Sequence, residues 1–91
     1  MDVGIKKIED LKDFASYLQW LSTSMLDEFS KTRMRVSDVY NNWHDDESLR
    51  FLEEFTVSME QINRIAEQMD AYSRYVQKKY EILEMYKSAS M

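Results

Sequence analysis

The 91-residue chain has no cysteine, no proline, a single glycine and a single histidine. Without cysteine there is no disulfide framework, no thiolate metal site and no thiol nucleophile. A lone imidazole, His44, removes the histidine clusters on which most metal and acid–base centres rest. Gly4 alone cannot supply a phosphate-cradling loop, a dinucleotide fingerprint or a nucleophile elbow. The same scarcity counts against a multi-stranded sheet, whose tight turns draw on Gly and Pro. No apolar run approaches the roughly 18 residues of a membrane span. The first ten residues contain no uninterrupted apolar core and no small-residue cleavage site, so they do not read as a cleavable signal peptide. With a net charge of −5 and a pI near 4.8, a nucleic-acid surface is not expected. The small clusters Lys6–Lys7 and Lys31/Arg33/Arg35 read as solvated faces.

What is present is helical periodicity. Ile8, Leu11, Ala15, Leu18, Ser22, Met25, Phe29, Thr32, Val36 and Val39 recur at alternating spacings of three and four. Leu52, Phe55, Met59, Ile62, Ala66, Met69, Ser73, Val76, Tyr80 and Leu83 do the same. A 3.5-residue period marks a helix that packs along one seam against another helix. Between the seams, Asn41 and Asn42 suit a left-handed helix end, and Asp45 or Asp46 can cap the next helix. Acid-first pairs Asp27/Lys31, Glu60/Arg64 and Asp70/Arg74 support both helices, and Lys31, Arg33 and Arg35 suit the C-terminal dipole of the first. The expectation is a single all-α domain over residues 1–91. It has a helix from about 5 to 40, a turn at about 41–46, a helix from about 47 to 87 and a short mobile tail at 88–91. Two long helices and a short turn make an antiparallel hairpin.

The seams leave apolar residues over. Phe14, Tyr17, Trp20, Leu21 and Leu26 on the first helix, and Phe51, Ile65, Tyr72, Tyr75 and Ile82 on the second, widen each apolar stripe beyond what two helices can cover. Burying six such side chains is worth on the order of 10 kcal/mol. A thin hairpin would otherwise be marginal. The expectation is therefore dimerisation into an elongated four-helix bundle through Phe14, Leu21, Phe51, Ile65 and Tyr72. Ala15, Ser22, Ala66 and Ser73 let helix backbones approach closely. The partner is a second copy or a related helical hairpin.

The layout, with Trp43-His44-Asp45 at the turn, resembles the WXG family, the early-secretory-antigen-like helical hairpins exported by type VII secretion systems. Asp45 stands where that family has Gly, which points to a divergent branch. Asp tolerates a left-handed backbone and also caps helices. The resemblance implies a central Trp, Trp43, beside a groove at the bundle end. It also implies a C-terminal Tyr-Xaa-Xaa-Xaa-Asp/Glu secretion motif, matched here by Tyr80 and Glu84. Tyr80 and Glu84 stand one helical turn apart on one face, although Tyr80 also belongs to the seam. An export ATPase or the helical domain of a larger toxin is then a further expected partner. Localisation would be secreted without a cleavable signal, or cytoplasmic before export. A cytoplasmic coiled-coil scaffold that is never exported is the alternative reading.

No catalytic, cofactor or metal site is expected. Carboxylates adjacent in sequence, such as Glu53–Glu54, diverge by about 100° on a helix and form no acid–base dyad. His44 beside Asp45 and Asp46 lacks the spacing of a metal loop. The protein reads as a non-enzyme that works by binding. Met25, Met59 and Met69 keep seam register and read as core.

Overall fold

The computed structural model describes residues 7–89. Two helices fill almost all of that span: α1, Ile8–Asn42, and α2, Asp46–Ala89. They pack along each other as an antiparallel hairpin, a rod of 69 × 18 × 15 Å. The expected start at residues 5 and 6 and the tail end at 90 and 91 lie outside the described residues. Ser88 and Ala89, expected in a mobile tail, belong to α2, whose last turn carries Lys87 against the negative end of the helix.

Seam residues meet between the helices as the 3.5-residue period requires. Ala15, Leu18, Ser22, Ala66 and Ser73 are buried, and the larger seam residues are half-buried. Val39, at the turn end of the α1 seam, is instead 51% exposed. Thr32 and Thr56 turn their hydroxyls back onto the carbonyls of Glu28 and Leu52, each four residues earlier. On the outer surface, Lys31 bridges Asp27 at 3.1 Å and Glu28 at 3.4 Å, and Arg74 pairs with Asp70. The two carboxylates beside it hold the Lys31 ammonium above its usual pKa, the bond to Asp27 first. Glu60 and Arg64 form no such bridge, against expectation: both are exposed, and solvated charges gain little from pairing.

The end of α1 corrects two further expectations. The helix continues through Asn41 and Asn42, and Trp43 leaves it in extended backbone, with φ −139° and ψ 101°. No left-handed cap is needed. The Asn42 side-chain amide satisfies the Asp38 carbonyl at 3.2 Å, and the Trp43 N–H satisfies that of Tyr40 at 3.3 Å. Because α1 runs to residue 42, no basic residue stands in its last turn. Lys31, Arg33 and Arg35 are then too far back to meet the dipole, which fades within one turn.

The rod is thin for its mass. Its radius of gyration is 20.3 Å, against about 12 Å for a compact chain of this length. It exposes 7476 Å², where a compact protein of 11 kDa exposes about 5,600 Å². Among the described residues the buried hydrophobic ones are Ala15, Leu18 and Ala66. So slight a core leaves large apolar side chains in water.

Candidate helix-binding face and turn

The register of the hairpin is fixed at a waist of small residues. Ser22 Oγ donates to the Ala66 carbonyl at 2.7 Å, and Ser73 Oγ donates to the Ala15 carbonyl at 2.6 Å, both buried. These bonds are reciprocal: a local two-fold axis normal to the hairpin exchanges them. The same axis exchanges two nine-residue segments, Phe14 to Ser22 and Ile65 to Ser73. Each begins with a large apolar residue and Ala, and ends with a large apolar residue and Ser. A methyl or hydroxymethyl at these four seam positions is what lets a hydroxyl reach across to the opposing backbone.

Such an axis leaves equivalent residues on the same broad side of the rod. Phe14 and Leu21 therefore share a face with Ile65 and Tyr72, surrounding the axis. Phe14 is 50% exposed, Ile65 43% and Tyr72 50%, while Leu21 is half-buried between its neighbours. Tyr17 and Trp20, whose rings lie 5.7 Å apart, and Tyr75 extend the aromatic surface outward from α1 and α2. Phe51, the fifth expected interface residue, lies on the same flank of α2 but closer to the turn. Its ring stands 6.1 Å from Trp43 and 5.7 Å from Phe55. The opposite flank carries Gln19, Asn63, Asp70, Gln77 and Glu84, with the exposed Leu26 among them.

At the turn, Asp45 does what glycine's freedom would otherwise do, by hydrogen bonding. Its Oδ1 accepts from the Ser48 N–H at 2.8 Å, and its Oδ2 accepts from the Trp43 indole Nε1–H at 3.0 Å. Ser48 Oγ in return accepts from the Asp45 N–H at 2.9 Å and donates to the Asp45 carbonyl at 2.8 Å. This is a capping box in which Ser replaces Glu. Ser48 is almost wholly buried. The Ser48 N–H bond first, then the Trp43 indole, hold the Asp45 carboxyl below its ordinary pKa of 3.8. Trp43 is thus tied to the start of α2 at one ring edge and leans on Phe51. The His44 ring rests on Tyr40, with centroids 4.4 Å apart.

Tyr80 and Glu84 are both half-buried and lie at the open end of the rod, away from the aromatic face. The ammonium of Lys12, on α1, sits 5.8 Å from the Tyr80 ring centroid. Glu84 Oε2 is shielded from solvent and has no hydrogen-bond partner among the described residues. Nearby, Lys87 approaches Glu9 at 4.0 Å, joining the two helices.

The chain matches no family model, no curated protein and no solved structure. Geometry and chemistry therefore carry the functional reading. Among the described residues no cluster of three or more His, Cys, Asp or Glu side chains is arranged to hold a metal ion, and no helix is long and apolar enough to cross a membrane. Ser48 and the repeated waist segments escaped the sequence reading. The signal for Ser48 was there, in Asp45 followed three residues later by a side chain able to return the hydrogen bond.

Proposed function

We propose that this chain is a helix-binding protein without catalytic activity, a divergent WXG-like hairpin that a type VII secretion system exports or carries as a co-substrate. The observation that carries the binding reading is the exposed face around Phe14, Leu21, Ile65 and Tyr72, on a rod too thin to cover it. A second copy placed face to face supplies the missing layer and builds a four-helix bundle with two-fold symmetry. The helical domain of a larger toxin would dock on the same face in the adaptor form of this reading. The export reading rests on the resemblance of Trp43-His44-Asp45 at the turn and of Tyr80 with Glu84 at the open end of the rod.

One observation favours a resident scaffold instead: Tyr80 is half-buried beneath Lys12, as a packing residue would be. Tyr80→Ala and Glu84→Ala, expressed in a cell that carries a type VII system, separate the two. The export reading expects the parent chain in the medium and both variants retained in the lysate with unchanged circular dichroism. A parent that never leaves the cell, or folded variants that leave equally well, would favour the scaffold.

A further inference from the structure

A second surface lies on the side of the rod opposite the aromatic face. Toward the turn the seam between the two helices changes from Ala and Ser to Phe29, Met59 and Phe55. A furrow of about 530 Å³ opens between the helices, with Leu26, Phe29, Phe55 and Met59 along its apolar floor. Arg33 lines it from α1 and Arg64 from α2. Arg33 makes no ion pair or hydrogen bond with the described residues, and Arg64 makes none with Glu60, one helical turn away. In a chain of net charge −5, Arg33 and Arg64 outnumber the one carboxylate that lines the furrow, that of Glu60, so the furrow is locally positive. Guanidinium forks match carboxylates in shape and charge.

We infer that this furrow docks an acidic amphipathic helix of a partner protein, its apolar ridge on the floor and carboxylates on its two flanks against Arg33 and Arg64. An open furrow fits a helix better than a small amphiphile. A bound small molecule buries roughly 70–90% of its surface, whereas Leu26 and the wall residues Ser30, Thr56 and Asn63 are all exposed here. Helix-in-groove recognition needs only one covered face. The furrow and the aromatic face lie on opposite sides, so both can be occupied together.

The test uses the full chain and two labelled synthetic peptides, each a helix with a leucine ridge. One is flanked by Glu and the other by Lys. Fluorescence anisotropy is expected to show saturable binding of the Glu peptide alone. Arg33→Glu with Arg64→Glu should weaken it at least tenfold and turn the preference toward the Lys peptide. Arg33→Gln with Arg64→Gln should weaken it without creating that preference, and Arg35→Glu with Arg50→Glu, exposed residues that do not line the furrow, should leave it unchanged. Equal binding of both peptides, indifference to the arginine changes, no saturation at millimolar peptide, or arginine-dependent binding of oleate in place of the Glu peptide would each overturn the inference.

Discussion

Asp45 shows how one side chain replaces the conformational freedom of an absent glycine. Its carboxylate joins the end of α1, through the Trp43 indole, to the start of α2, through the Ser48 N–H, while the Asp45 backbone N–H and carbonyl bond the Ser48 hydroxyl. Because these bonds favour the ionised form, the folded pKa lies below 3.8. The stabilisation is therefore present above the unfolded value and is lost as pH falls through the lower folded one. In an acid titration followed by NMR, the Trp43 indole proton should shift with a midpoint below 3.8, while that of Trp20 does not follow it. A midpoint at or above the ordinary carboxyl value would mean that the cap is absent. Asp45→Asn keeps a capping oxygen and should remove the transition. Ser48→Ala deletes the reciprocal half of the box from a buried site and should cost about 1 kcal/mol in urea unfolding.

Helix identity and extent were legible in the sequence because a 3.5-residue period over ten positions has no other economical reading. Val39 failed the pattern because a seam ends where its partner helix begins, and periodicity cannot mark that point. What periodicity cannot give is the register of one helix against the other, since sliding by a heptad keeps every apolar contact apolar. Ser22 and Ser73 resolve that degeneracy, because only one alignment presents each hydroxyl to an alanine carbonyl. The same alignment sets which apolar residues on that side stand opposite one another. The turn bonds were less legible, because they depend on side-chain rotamers rather than spacing. Size at the waist matters more than the hydroxyl. Ser22→Ala removes one net hydrogen bond and should cost about 0.5–1.5 kcal/mol. Ser22→Leu forces a bulky side chain between close backbones and should cost more, adding overpacking of about 1–3 kcal/mol to the lost bond. Urea midpoints would rank them; a leucine variant as stable as the alanine one would rule out close packing at the waist.

As a whole, the molecule has one broad side that is aromatic, one that carries an arginine-walled furrow, a capped turn at one end and Tyr80 with Glu84 at the other. A rod with so small a buried core has an unusual dependence on what covers it. If the aromatic face is covered by a second copy, folding and association are one equilibrium, and stability must rise with protein concentration. Light scattering at micromolar concentration should then give about 22 kDa, twice the chain mass of 11.0 kDa. The midpoint of thermal unfolding should rise steadily over a hundredfold increase in concentration. Phe14→Glu with Ile65→Glu places carboxylates around the two-fold axis, on residues already half exposed in the single hairpin, so the hairpin itself loses little. That variant should scatter as 11 kDa, unfold at lower temperature and lose the concentration dependence. A parent chain that stays at 11 kDa with a concentration-independent midpoint would reject self-association and leave the aromatic face to a different helical partner. In that case the midpoint should respond to the partner and not to the chain's own concentration.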